Sequence, residues 1–146
     1  MKETLQDPRI IGANSLHDLF TWVDASYAVH ENMRGHTGGL MSFGNGVVHA
    51  RSGKQKLNVK SSTECELVGT SEYCPYNLWL LMFMDAQGYP IHNNVLFQDN
   101  QSTIKMQRNG RNSCTGNSRH VNIRYFFVKD RIDKGEISFF QQISRA

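Results

Sequence analysis

Short apolar runs bounded by turn-forming residues recur along this chain and predict β-strands. The segments with this pattern are residues 19–24, 38–43, 47–51, 95–98 and 136–142. The tripeptide Gly44-Asn45-Gly46 separates the second segment from the third, and a glycine-rich turn of this kind favours a hairpin. The first three strands are therefore expected to form an antiparallel unit.

One long segment after the hairpin has apolar residues at helical spacing. Ser61 followed by Glu64 forms a capping-box pattern at its start, and Gly88 marks its end. Pro75 lies inside this segment, and a proline lacks the N–H that would bond to the carbonyl of Ser71. We predict a long helix with a kink or a broken hydrogen bond near Ser71.

The second half of this helix carries the large apolar side chains Trp79, Met82, Phe83 and Met84. Such a stripe at helical spacing belongs more often to a protein core than to a ligand pocket. We therefore predict that these side chains are buried.

The C-terminal third predicts two further helices around a loop. A short helix is expected from Ser102 to about Arg108, and residues 109–117 are rich in turn formers. Ser118 can cap the next helix, and Gly135 marks its end. One face of that helix consists of Val121, Tyr125, Val128 and Ile132. Together the strands and helices indicate a mixed α/β domain.

Length and composition narrow the class of protein. A chain of 146 residues has the usual size of one domain. No segment resembles a signal peptide or is long enough for a membrane span, so we expect an intracellular protein, cytoplasmic or nuclear, without a membrane partner. Cys65, Cys74 and Cys114 lack the spacing of a zinc site or a disulfide framework, and the first two are expected to be small helix residues.

Charge is divided unevenly along the chain. Residues 1–100 carry 7 Lys+Arg and 10 Asp+Glu, whereas residues 101–146 carry 9 and 3. The C-terminal third therefore has a surplus of about six positive charges, which suits a phosphate backbone as partner. A solvated basic helix face is the alternative interpretation.

Three carboxylates lie at positions that a sheet and a helix can bring together. Asp24 ends the first apolar run, Asp99 directly follows the fourth, and Glu66 lies near the start of the long helix, with Glu64 as an alternative. A cluster of oxygen ligands suits a hard divalent cation such as Mg²⁺. Two such ions about 4 Å apart activate water and stabilise the leaving oxygen in phosphodiester hydrolysis. Each aspartate alone is also compatible with a turn or a cap.

Four sequence blocks carry a more specific signal. Three contain the carboxylates, as WVDASYA around Asp24, SSTECEL around Glu66 and DNQSTI from Asp99, and the fourth is the basic segment RHVNIRYFFV. In order and spacing they resemble the ribonuclease H domain of Ty1/copia-type retrotransposon polyproteins. The resemblance implies that Asp24, Glu66 and Asp99 are catalytic and bind two Mg²⁺ or Mn²⁺ ions, and it leaves Glu64 to cap the helix.

The same resemblance implies a ribonuclease H-like α/β fold, in which helices flank a five-stranded mixed sheet of strand order 3-2-1-4-5. Residues 1–18 are then an N-terminal extension and residues 19–146 the domain, and a reverse transcriptase region of a parent polyprotein is the implied partner. Members of the family use a fourth carboxylate on a helix after the last strand. This sequence has no matching segment, so we expect a domain that lacks its final helix.

The substrate implied by the resemblance is an RNA/DNA hybrid. Recognition of the 2′-OH requires short polar groups near the metals, and Ser62, Thr63 and Gln101 match the family's minor-groove contacts. Basic side chains are expected to hold the phosphates without reading sequence. The candidates are Lys54, Lys56, Lys60, Arg119, Arg124, Lys129 and Lys134.

Two functions remain open from the sequence. The first is metal-dependent endonucleolytic cleavage of RNA in RNA/DNA hybrids. The second is a catalytically impaired retroelement remnant that folds and binds nucleic acid without turnover, because the fourth carboxylate is missing.

Overall fold

The computed structural model describes residues 12–100, 102–104 and 119–141. Residues 102–104 form one helical turn. The other elements, in chain order, are β1 (Gly12–Ala13), β2 (Asp18–Ser26), β3 (His36–Ser42), β4 (Gly44–Asn45), β5 (Val47–Lys54), α1 (Ser62–Ala86), β6 (Asn93–Gln98), α2 (Arg119–Asp133) and β7 (Ser138–Gln141).

Five of these strands form one mixed sheet in the order β5-β3-β2-β6-β7. The pairs β2–β3 and β3–β5 are antiparallel, whereas β2–β6 and β6–β7 are parallel. When only these five strands are numbered along the chain, their order is 3-2-1-4-5, which confirms the predicted strand order. The short strands β1 and β4 pair with each other beside the hairpin, where Gly44 and Gly46 have φ values of 110° and 88°.

Ser61 caps α1 as predicted, and Glu64 completes a variant of the capping box in which it reaches the residue before the cap. Ser61 Oγ accepts a hydrogen bond from the Glu64 N–H at 3.2 Å, and the Glu64 carboxylate accepts one from the Lys60 N–H at 2.8 Å. The helix then continues through Pro75 to Ala86, so the proline does not end it. Pro75 is exposed, and its ring is accommodated on the solvent side of the helix.

Both helices share one core with the sheet. The core contains Leu19 and Leu96 from the two central parallel strands, Tyr73 from α1 and Val128 from α2, all nearly inaccessible to solvent. Alternation along the strands directs Phe20, Trp22 and Phe97 to the opposite face, where their rings lie near one another and are half-buried.

The predicted burial of the apolar stripe on α1 is wrong for three of its four members. Met84 is buried, but Trp79, Met82 and Phe83 are 63%, 72% and 45% exposed. The reason is that, in this second half of α1, the side facing the sheet carries the buried polar residue Asn77. Asn77 donates hydrogen bonds to Thr21 and Asn94 on the central strands, and the large apolar side chains lie on the other side of the helix.

The end of α2 and the last strand lie close to their predicted positions. Gly135, with a φ of 71°, follows α2 as predicted, and the last strand begins two residues later than predicted, at Ser138. Residues 105–118, with the rest of the short helix, the loop and the Ser118 cap, lie outside the described residues.

The cysteine prediction is confirmed for Cys65 and Cys74, which are buried free thiols of α1, whereas Cys114 lies outside the described residues. In the ranges that the structure describes, no helix has both the length and the apolar character needed to cross a membrane.

Close approach of α1 to the sheet depends on a strand glycine. A Cβ atom added to Gly39 would overlap the Tyr73 ring, whereas one added to the adjacent Gly38 would meet nothing within 4 Å. We expect Gly39→Ala to lower the free energy of unfolding by about 1–3 kcal/mol, because the helix must move away from the sheet. Gly38→Ala is the matched control and should stay within about 1 kcal/mol of the wild type. Urea denaturation of both variants measures the difference; equal stabilities would contradict this account of the packing.

Candidate metal centre

The three predicted carboxylates meet at one edge of the sheet. Asp24 lies near the end of β2, and Asp99 follows β6 directly. Because these strands are parallel neighbours, their carboxyl ends share an edge. Glu66 reaches the same edge from the start of α1, and one carboxylate oxygen from each of the three residues lies within 4.8 Å of the others. The predicted convergence is therefore observed, well inside the span that bridging ions can fill.

Glu66 differs from the two aspartates in its surroundings. Asp24 and Asp99 are exposed, whereas Glu66 is only 6% exposed. Its carboxylate accepts hydrogen bonds from the Ala25 N–H and from Gln98 Nε2, both at 3.3 Å. Glu64 is engaged in the helix cap instead. The geometry thus brings Glu66, not Glu64, to the aspartates.

Burial and like charges perturb the ionisation of Glu66. Removal of its carboxyl group from water, together with the negative charges of Asp24 and Asp99, raises its pKa from 4.5 to about 7. The hydrogen bonds from Ala25 and Gln98 act in the opposite direction but are weaker. None of these causes involves a cationic side chain of the described residues.

The donor set fits a hard divalent cation. Carboxylate oxygens are the ligands that Mg²⁺ and Mn²⁺ prefer, and a cation would relieve the repulsion among the three groups. Access is open, because a cleft of about 400 Å³ adjoins Asp24 and Asp99, with Trp22 and Leu40 in its lining. Gly38 also lines this cleft and presents no side chain to it. The site can therefore accept a cation together with a ligand from solvent.

A buried amide that the sequence interpretation missed connects the parts of this site. Gln98 is 1% exposed, and its Nε2 donates to Glu66 and to Thr70 Oγ1, each at 3.3 Å. Its Oε1 accepts from the N–H groups of Asp99 and Asn100, at 3.0 and 3.4 Å. The available signal was a polar residue in an inward-facing position at the end of an apolar strand.

Two of the predicted phosphate-binding residues, Lys54 and Lys56, line a second cleft of about 220 Å³ between β5 and α1. Arg51, which the sequence interpretation missed, lies in the same cleft, and its guanidinium carbon is 4.9 Å from the centre of the Tyr76 ring. The lining also includes Glu72, so the cleft carries three cationic side chains and one carboxylate. We call it the β5–α1 cleft.

Two of the predicted basic residues, Lys129 in α2 and Lys134 directly after it, have partners of their own. Lys129 Nζ lies 2.8 Å from Asp133 Oδ2, and Lys134 Nζ lies 2.8 Å from Asp130 Oδ2. Hydrogen bonding from Lys134 is the main cause of a lowered pKa at Asp130. These pairs reduce the positive charge that α2 presents to a phosphate.

The other predicted nucleic-acid contacts lie near the start of α1 or outside the described residues. Lys60 and Ser62 are exposed beside the helix start, and Thr63 is half-buried. Gln101 lies outside the described residues, as do the side chains of Arg119 and Arg124.

Comparison with known proteins relates the chain to retroelement polyproteins. No family model matches it. In sequence it is 27% identical, over 103 residues, to the retrovirus-related Pol polyprotein from transposon TNT 1-94 of Nicotiana tabacum. The match covers 70% of this chain but only 8% of that polyprotein, so the chain corresponds to a small part of its relative.

Similar structures come from foamy viral protease–reverse transcriptases. The native prototype foamy virus protein matches 94% of this chain and 19% of its own, with a TM-score of 0.61 and 10% identity. A foamy viral protease–reverse transcriptase in complex with RNA/DNA hybrid matches over 97% of this chain and 20% of its own, with a TM-score of 0.55 and 11% identity. At such identities the likeness concerns the fold alone. Sequence and fold agree, and the chain is related to a region of a copia-type retrotransposon Pol polyprotein, as its sequence blocks predict.

Proposed function

We propose that this chain is a ribonuclease H-like domain that hydrolyses the RNA strand of RNA/DNA hybrids endonucleolytically, with Mg²⁺ or Mn²⁺ as cofactor. The observation that carries the proposal is the approach of Asp24, Glu66 and Asp99 to within 4.8 Å of one another, with Glu66 buried. A buried carboxylate beside two others is costly in the absence of a cation. The relationship to a Pol polyprotein supports the same function.

Glu66 and the two aspartates have different parts in this proposal. Glu66 is held by the Ala25 N–H and Gln98, so its oxygens have a fixed direction. Asp24 and Asp99 face solvent, so a cation bound to them can also be coordinated by a substrate phosphate. Divalent cations bound there would activate the attacking water and stabilise the leaving oxygen of the phosphodiester. The two-metal arrangement is the form of this chemistry that the family resemblance implies.

Recognition of the hybrid is assigned to the start of α1 and to the β5–α1 cleft. Ser62 and Thr63, with Gln101, are proposed to contact the minor groove and its 2′-OH groups. Arg51, Lys54 and Lys56 are proposed to bind phosphates, because none of them takes part in an ion pair seen among the described residues. A foamy viral protease–reverse transcriptase of similar fold has been seen in complex with RNA/DNA hybrid, which supports this choice of substrate.

The proposed domain comprises residues 19–146, preceded by an N-terminal extension of residues 1–18. A reverse transcriptase region of a parent polyprotein is its proposed partner. The fourth carboxylate of the family's metal site is absent from the acidic cluster of the described residues, which contains Asp24, Glu66 and Asp99. If cleavage proves undetectable while hybrid still binds, the catalytically impaired form of the domain is the better description.

The raised pKa of Glu66 predicts an unusual dependence of stability on pH. A carboxyl whose pKa is higher in the folded chain stabilises the fold when protonated, and this stabilisation is lost as pH rises through about 7. In the absence of metal, the free energy of unfolding should fall between pH 5 and pH 8 by on the order of 2 kcal/mol more in the wild type than in Glu66→Gln. Addition of Mn²⁺ should reduce this loss, since the cation favours the ionised carboxylate.

Thermal unfolding at several pH values, with and without Mn²⁺, measures this effect. Glu64→Gln is the matched control, because Glu64 caps the same helix end without joining the cluster. An identical pH dependence in the wild type and in Glu66→Gln would show that Glu66 does not carry the effect.

The proposed activity predicts the behaviour of an Asp99 variant. Asp99→Asn should reduce cleavage at least 100-fold while leaving hybrid affinity nearly unchanged, because the amide keeps the shape but loses the charge that holds the cation. The measurement is the release of fragments from a labelled RNA strand paired with DNA, in Mg²⁺ and then in Mn²⁺. Asp85→Asn, at an exposed position near the other end of α1, should cleave like the wild type. Undiminished cleavage by Asp99→Asn would refute the assignment of this carboxylate.

The cations of the β5–α1 cleft form no ion pair seen among the described residues, whereas Lys129 and Lys134 are paired, and the two groups predict different effects on binding. Lys56→Gln should weaken hybrid binding and reduce the slope of log K against log salt concentration by about 1. Lys134→Gln removes the same charge from a side chain already paired with Asp130, so it should change the slope much less. Fluorescence anisotropy with labelled hybrid over a range of salt concentrations separates them. A larger effect at Lys134 would show that the phosphates bind near the end of α2 and not in the β5–α1 cleft.

A further inference from the structure

Gln98 occupies a position that a strand of this sheet would ordinarily fill with an apolar side chain. Alternation along β6 directs Asn94, Leu96 and Gln98 toward the helices, and Gln98 is 1% exposed. An amide withdrawn from water costs free energy unless hydrogen bonds replace its hydration. The partners of this amide therefore account for its presence.

Hydrogen bonds satisfy both ends of the Gln98 side chain. At one end, Oε1 accepts from the backbone N–H of Asp99 at 3.0 Å and from that of Asn100 at 3.4 Å. At the other end, Nε2 donates to Glu66 Oε2 and to Thr70 Oγ1, each at 3.3 Å. One side chain thus joins the carboxylate of the helix to the backbone that carries Asp99.

These partners also fix which way the amide points. A backbone N–H can only donate, so the atom facing Asp99 and Asn100 must be the oxygen. The nitrogen then faces Glu66, whose ionised carboxylate can only accept. The Thr70 hydroxyl donates to the Glu66 carbonyl at 3.0 Å, which leaves its oxygen free to accept from Gln98. A rotation of the amide by half a turn would break all of these contacts.

We propose that Gln98 is a positioning residue for divalent-cation binding, which sets the relative placement of the Glu66 and Asp99 carboxylates. The inference rests on the proposed function, in that it takes these carboxylates to be cation ligands. Asp24 and Glu66 are already connected through the Ala25 N–H, which follows Asp24 in the chain and donates to Glu66. Gln98 supplies the corresponding connection to Asp99, so the three ligands form one hydrogen-bonded unit.

A second buried glutamine offers a matched control. Gln55 is fully buried, and its Nε2 donates to Thr37 Oγ1 and to the Cys65 carbonyl, both at 2.9 Å. It therefore has the same chemistry and burial as Gln98, but its hydrogen bonds reach none of the three carboxylates. Methionine has a similar length and volume to glutamine and lacks its amide. The pair Gln98→Met and Gln55→Met separates a positioning role from the general cost of losing a buried amide.

The experiment is isothermal titration of Mn²⁺ into the wild type and both variants at one pH, alongside thermal unfolding of each. Loss of a residue that orients metal ligands typically costs 10–100-fold in affinity, so Gln98→Met should raise the Kd for Mn²⁺ at least 10-fold. Gln55→Met should bind Mn²⁺ within about 2-fold of the wild type, even if it is equally destabilised. Equal Mn²⁺ affinities of Gln98→Met and the wild type, or equal losses in both variants, would overturn the inference.

A measurement on the wild type guards against a variant that fails to fold. In nuclear magnetic resonance spectra, addition of Mg²⁺ should shift the side-chain amide signals of Gln98 and the backbone amide signal of Asp99, and leave the side-chain signals of Gln55 in place. If Mg²⁺ binds and the Gln98 signals do not move, the positioning role is wrong while the proposed function stands. If neither Mg²⁺ nor Mn²⁺ binds at all, both are wrong.

Discussion

The buried carboxylate of Glu66 is the constraint on which the rest of this structure depends. A carboxylate at the contact between a helix and a sheet loses most of its hydration, and here two further negative charges lie beside it. The fold tolerates this arrangement because donors from both neighbouring strands reach the group: the Ala25 N–H after Asp24 and the Gln98 amide before Asp99. These hydrogen bonds favour the ionised carboxylate, but burial and the two aspartates outweigh them and raise the pKa of Glu66 to about 7. That combination is what a bound cation would resolve.

Such an arrangement requires α1 to lie close to the sheet along its length. Near the carboxylates, a Cβ atom added to Gly69 would lie 3.1 Å from the Ala25 Cβ, tighter than ordinary contact. One turn further on, the Tyr73 ring fills the space above Gly39. Beyond it, Asn77 exchanges hydrogen bonds with Asn94 and donates to Thr21, which ties the second half of the helix to the two central strands. The hydrogen bonds of Glu66 and Asn77 hold the two ends of this contact, and Gly69 and Gly39 allow close packing between them. Together they limit how far α1 can move along or away from the sheet, and hence where Glu66 points.

Sequence alone was sufficient for the acidic cluster and insufficient for its support. Asp24 and Asp99 could be placed because parallel strands bring their carboxyl ends to one edge, and the family pattern distinguished Glu66 from Glu64. The stripe of Trp79, Met82 and Phe83 was assigned to the core wrongly, because helical spacing identifies a face without saying which face meets the sheet. In this helix, hydrogen bonding by Asn77 decides the question, and those partners are distant in sequence.

The same limitation applies to the buried amide of Gln98, and less to the charged side chains. Lys129 and Lys134 lie four residues from their partners Asp133 and Asp130, so helical spacing alone could have identified both pairs. Alternation along the strand indicated an inward position for Gln98, but its partners lie on α1 and in the backbone that follows β6. What a single sequence conveys best is local pattern and motif order; the balance of charge and the hydrogen bonding of buried groups depend on the assembled fold.

The central claim is that Asp24, Glu66 and Asp99 together bind a divalent cation. The most direct measurement is a crystal structure of the chain with Mn²⁺, in which anomalous scattering locates the metal independently of the atomic model of the protein. The account predicts an anomalous peak at the sheet edge with carboxylate oxygens of all three residues within coordination distance. Ordered carboxylates with no peak between them, at Mn²⁺ concentrations that saturate binding elsewhere on the chain, would contradict it.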